Sequence, residues 1–198
     1  MEDEVKDTIQ NVKDSIQDKA EELSDSLKEK ASSVIDDVKE TAEGLAEEAQ
    51  QIKEELNTPK TNNTPAFKLP TSRGLLKWIF LGIITLYIYN LVILTKMSGE
   101  INTVASRYDG KSTMNFLIIF FLLGPITLGI ATLVWIHRLC NRLGAELNRR
   151  GIDFKISAGT FWGWCVLGSL LFGVGPFIFI YKFCKGFNLM NADYNAKG

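Results

Sequence analysis

Chemistry at a protein site needs a nucleophile with a base, a metal-ligand cluster or a phosphate-binding loop, and these 198 residues offer few starting points. His137 is the one histidine. It stands beside Arg138 with no second histidine and no carboxylate near it in sequence, so it reads as an interfacial polar side chain. Cys140, Cys165 and Cys184 are odd in number and form no CxxC pair, which makes them small apolar fillers. No nucleophile–base pairing, phosphate loop or metal spacing stands out. The expectation is a chain that is not an enzyme, with no catalytic residue, no metal site and no cofactor.

What can act here is charge and small size. Arg138, Arg142, Arg149 and Arg150 crowd one stretch. They are expected to touch lipid headgroups or an acidic partner. Gly159-x-x-x-Gly163 and Ser169-x-x-x-Gly173 place small residues one turn apart, a spacing that lets helix backbones approach and that we assign to helix packing. Thr85, Asn90, Thr127 and Thr132 are the notable polar groups inside the hydrophobic runs, and could line a lumen if the chain formed an oligomeric pore.

These residues sit in or beside three runs without formal charge: Trp78–Thr95, Ser112–Ile136 and Ile156–Tyr181, of 18, 25 and 26 residues. About 20 apolar residues cross a hydrocarbon core of roughly 30 Å. Three transmembrane helices are therefore expected, at about 75–96, 113–137 and 157–182. Lys and Arg divide nine to six across such spans, which favours a cytosolic N-terminus. Gly-Pro or Ile-Thr breaks near the middle of each run support a rival arrangement, in which each run is a half-depth hairpin returning to one face. The first run begins too late for a cleavable signal peptide.

The first 57 residues differ in kind. They carry 7 Lys and 18 Asp/Glu, a charge of −11, while the remainder carries +10 and holds all 12 Phe and all 4 Trp. The basic residues flank hydrophobic runs, which argues against nucleic acid. Apolar residues in this segment recur every eleven: Val12, Leu23, Val34, Leu45 and Leu56, with Ile16, Leu27 and Val38 between. Eleven residues in three turns keeps a narrow stripe on one helix face. We expect a long acidic rod that self-associates through this stripe, with a solvated single helix or a membrane-surface helix as alternatives. Thr58 to Ser72, rich in Pro, Asn and Thr, reads as a linker between the rod (1–57) and a membrane domain (73–198).

The runs are also related to each other. Ile84-Thr85-Leu86-Tyr87-Ile88 matches Ile126-Thr127-Leu128-Gly129-Ile130, Leu94-Thr95-Lys96 matches Ile136-His137-Arg138, and Glu100-Ile101-Asn102 matches Glu146-Leu147-Asn148. Gly175-Pro176 is a weaker echo of Gly124-Pro125. This succession resembles a bacterial family of small membrane proteins, domain-of-unknown-function family 4234, over roughly Arg73 to Asn191. The family more often has Gly where Tyr87 stands and Tyr where Ala131 stands. The resemblance implies architecture and membrane location, and no activity.

The expected fold class is thus an all-α membrane protein, with three transmembrane helices from an internal repeat behind an amphipathic rod. The expected role is a self-assembling scaffold in a bacterial inner membrane, multi-pass, with the lipid bilayer, other copies of the chain and a protein that docks on the acidic rod as partners. A pore or transport accessory and a membrane-shaping hairpin protein are the alternatives.

Overall fold

A computed structural model describes residues 2–57, 68–170 and 173–198. Every regular element among them is helical. The chain divides into two compact units, Met1–Ala42 and Glu43–Gly198.

Helix α1 (Glu2–Asn57) occupies the first unit and the start of the second. In the first unit Ile16, Leu23, Leu27, Val34 and Val38 of the eleven-residue stripe are exposed, as is Ile35 beside them. Leu45, in the second unit, is half-buried. The side chains of Val12 and Leu56 and linker residues 58–67 lie outside the described residues.

The second unit contains three helical hairpins. In the first, α2 (Leu75–Ile84) leads through a three-residue turn to α3 (Ile88–Asp109). In the second, α4 (Phe116–Ile118), a π-helical stretch (Ile119–Leu123) and α5 (Gly124–Ile126) form one arm, and α6 (Ile130–Arg149) returns. In the third, α7 (Ala158–Thr160), a π-helical stretch (Phe161–Val166) and a 3-10 stretch (Leu167–Leu170) precede α8 (Gly175–Lys197).

The expected transmembrane helices are overturned. No described helix is long and apolar enough to cross a membrane. Each uncharged run is folded in two: the first holds the turn at 85–87, the second the turn at 127–129, and the third the break before Gly175. The long return helices are uncharged only at their start. The first charged side chain is the ninth residue of each, Lys96 in α3 and Arg138 in α6, with Glu100 and Arg142 one turn further on. Counting uncharged residues added two antiparallel arms into one length. Membrane and transmembrane assignments that rested on three spans fall with it, and so does the division of basic residues between two sides.

The return helices α3, α6 and α8 run parallel, as their C-terminal ends show. The Arg149 guanidinium lies 3.6 Å from the centre of the Tyr108 ring, and that of Arg107 5.8 Å from Tyr194. Arg150 pairs with Asp193 at 2.7 Å. All three turns therefore lie at the opposite end. Met97, Ile101, Leu139, Leu143, Phe183 and Phe187 fill the space between the three helices and are almost inaccessible. Burial of such side chains, at roughly 1.5–3 kcal/mol each, holds the hairpins side by side.

Candidate functional site

Two of the three tips are built on the same sequence, Ile-Thr-Leu-x-Ile. Helix α2 ends at Thr85, and Leu86 and Tyr87 follow at φ 51° and 66°. Leu86 N–H donates to Ile83 O at 3.2 Å and Tyr87 N–H to Gly82 O at 2.6 Å. Leu128 N–H and Gly129 N–H repeat the pattern onto Pro125 O (3.4 Å) and Gly124 O (2.8 Å). This is the 6→1 and 5→2 pairing of a Schellman helix end, with leucine in the left-handed position where glycine is usual. Thr85 Oγ1 donates to Leu81 O at 2.5 Å and accepts from Tyr89 N at 2.9 Å. Thr127 Oγ1 does the same with Leu123 O (2.7 Å) and Ala131 N (3.0 Å). One hydroxyl thus ties the arriving helix to the departing one, and the repeated Ile-Thr-Leu-x-Ile is the sequence of a turn.

Gly129 meets its φ of 87° without strain, whereas Tyr87 at the same position does not. The third tip is made differently. Gly173 is left-handed and Gly168 meets Gly175, where an added Cβ would lie 2.1 Å from Trp164 O. Gly124-Pro125 precedes its turn and Gly175-Pro176 follows its own, so the two pairs are not equivalent positions.

The tips are apolar and exposed. Leu128 is 93% accessible, Leu86 84% and Leu170 84%, and Phe80, Ile84, Phe121, Leu122, Ile126 and Leu167 surround them. Charged residues begin only lower down. Lys96 lies nine residues after Tyr87, and Arg138 nine after Gly129. At 1.5 Å per residue this puts the first cations about 13 Å below the tips. Lys77 and Lys182 stand at comparable distances along their own helices.

Below that level the polar groups are spent on one another. Arg142 donates to Asp109 through Nε at 2.7 Å and also to Asn102, Thr113, Ser106 and Lys111 O, which pins the loop between the first two hairpins. The hydrogen bond from Arg142 holds the Asp109 carboxyl below the ordinary Asp range. Burial pushes the Glu146 carboxyl up, but Arg149 and Arg150 outweigh it and hold it low. Arg73 and Glu100 form a buried bidentate pair, joined by Asn191 at 2.9 Å. Asn188, Asn191 and Asn195, on one face of α8, grip the backbone of Leu69, Pro70 and Arg73.

Of the four arginines expected to meet headgroups or an acidic partner, Arg142 and Arg150 are therefore held inside the base, and Arg149 pairs with Glu146 and Tyr108. Arg138 alone of the four is exposed without an ion pair among the described residues. Gly163 and Gly173 face open space, Gly159 lies near Ser157, and the Ser169 hydroxyl donates to Cys165 O. The close backbone approach falls instead on Gly168 and Gly175. Thr85 and Thr127 are used within their own turns, and Asn90, with its amide turned to suit both partners, bridges Trp78 O and Trp78 Nε1 at 3.1 and 3.2 Å. Burial pushes the Cys184 thiol up to about 12 and that of Cys140 up as well, which keeps both protonated.

Sequence reasoning missed Arg73 and the three asparagines of α8. A signal existed: Glu100 and Glu146 match in the repeat, and each receives arginine in the structure. Residues 73–145 match the family described as Domain of unknown function (DUF4234). The match takes in the first hairpin and ends within α6, so the third hairpin lies beyond it, although the motifs suggested an extent to Asn191. No curated protein and no solved structure matches the chain.

Proposed function

We propose that the second unit is a one-sided membrane wedge: its three hairpin tips enter one leaflet of a bilayer and both ends of every hairpin stay on the side of entry. This reading contains no crossing of the bilayer. The observation that carries it is the coincidence of three apolar, exposed tips at one end with a collar of cations about 13 Å below. That distance is about half of a hydrocarbon core of roughly 30 Å. Backbone groups without partners are very costly in lipid, and the Thr85 and Thr127 turns pair theirs internally. Leucine at the left-handed positions 86 and 128 costs about 1–2 kcal/mol each relative to glycine. An apolar surrounding at the tip repays this, since burying one such side chain is worth roughly 1.5–3 kcal/mol. The nine exposed tip side chains together supply on the order of 15 kcal/mol, ample for stable anchoring.

Inserting three hairpins into one leaflet adds six helix cross-sections to that leaflet and none to the other, so the expected consequence is bending of the membrane away from the protein. The collar suits an anionic leaflet, such as the cytosolic face of a bacterial inner membrane. A second reading rests on α1, where the exposed stripe Ile16, Leu23, Leu27, Val34 and Val38 supports self-association, making the protein a scaffold that gathers wedges.

Flotation tests the wedge. Full-length protein mixed with phosphatidylcholine–phosphatidylglycerol vesicles is expected to float with them and to resist extraction by high salt. The L86E/L128E variant, altered only at exposed positions, is expected to remain in the dense fraction. Wild-type protein left unbound, or a variant that floats equally well, would refute it.

A further inference from the structure

A groove of about 1060 Å³ opens along α6 between the two arms of the second hairpin, and its chemistry changes from end to end. Near the tip it is lined by Leu123, Ala131 and Val134; at the far end stand Lys111, Arg138 and Asn141. Ala131 and Arg138 are seven residues apart, so the apolar part runs for about 10 Å before the cations begin. Resting on the wedge reading, we propose that this groove seats one anionic phospholipid, an acyl chain lying against Ala131 and Val134 and the phosphate between Lys111 and Arg138.

Three observations select this occupant. The groove's apolar-to-polar direction is the direction of the leaflet itself, from tip to collar. Asp109, the carboxylate at the rim, is bound by Arg142 through both oxygens, and Lys111 and Arg138 remain as an excess of positive charge over this pair. Lys111 and Arg138 are exposed and enter no ion pair among the described residues. The Lys111 backbone is fixed all the same, because its carbonyl accepts from Arg142 at 2.6 Å and Ser106 at 2.7 Å. A positioned pair of cations above an apolar slot is complementary to a single negative headgroup with its chain below. Small Ala131 and Ala145 on the α6 face leave the room that larger side chains would fill.

The test is retention of lipid by full-length protein in dodecyl maltoside, read by native mass spectrometry after addition of phosphatidylglycerol or phosphatidylcholine. One phosphatidylglycerol per chain is expected to be retained, phosphatidylcholine at least about tenfold less, and K111E/R138E is expected to lose phosphatidylglycerol by at least about tenfold. Inorganic phosphate is expected not to displace the lipid. Equal retention of both lipids, an unchanged double variant, or displacement by phosphate would overturn the proposal. Flotation with pure phosphatidylcholine vesicles, run in parallel, separates the two ideas: wild type and K111E/R138E both float if the wedge holds, whatever the groove does.

Discussion

At the scale of single residues, the chain spends strain where it is exposed and pairs charge where it is buried. Tyr87 holds a left-handed conformation that Gly129 holds freely in the other copy. Tyr87→Gly is therefore expected to raise stability in detergent by about 0.5–1 kcal/mol, read as an increase in urea midpoint. Asp109 offers a pH test. Its carboxyl is held below the ordinary Asp value of about 3.9, so its contribution is complete above that pH and is lost as pH falls through the lower folded-state value. Asp109→Asn is expected to lower the urea midpoint at pH 7 and to flatten the loss below about pH 4; a variant with the same acid limb as wild type would show that the pair with Arg142 does not matter. The repeat Ile-Thr-Leu-x-Ile was legible in the sequence, but its meaning was not. A threonine that bonds four residues back and four forward looks, in sequence, like any polar residue in an apolar run.

At the scale of elements, the error in length shows what composition conceals. An uncharged run of 25 residues suits one crossing or two arms of half that length, and the choice lies in a few φ angles. Leu86 and Leu128 are the residues that turn the chain, and leucine is the last type a turn search would mark. The hairpins were legible as a rival only through the Gly-Pro and Ile-Thr breaks. Contacts across sequence were not legible at all. Gly74, at the N-cap of helix α2, has no side chain to cap it, and Glu48 of α1 supplies a cap by accepting from Leu76 N and Lys77 N at 3.1 and 3.0 Å. A Cβ at position 74 would strike that carboxylate, so glycine is required for its approach. Glu48→Ala should cost about 1 kcal/mol of stability, as other lost caps do. Hydrogen exchange should quicken first at the start of α2; uniform quickening would point to a different role for Glu48.

At the scale of the whole molecule, the opposed charges of the two halves and the eleven-residue stripe were both legible, since each depends only on residue type and spacing. What the stripe meets is a separate question. If it joins copies of the chain, Leu23→Glu with Leu27→Glu should reduce the mass of the full-length protein in mild detergent to that of one chain. An unchanged mass would remove the rod from assembly and leave it available for another protein. The wedge itself is most directly tested at its tips. With Cys165 replaced by alanine, a cysteine is placed at Leu86 or Leu128 of protein bound to sealed vesicles and exposed to a membrane-impermeant maleimide on either side. The account predicts no labelling from the outer solution or the lumen, together with labelling from the outer solution at Gly110→Cys and Lys197→Cys. Labelling of a tip cysteine from the lumen would mean that the chain crosses, and labelling from the outer solution that it never enters.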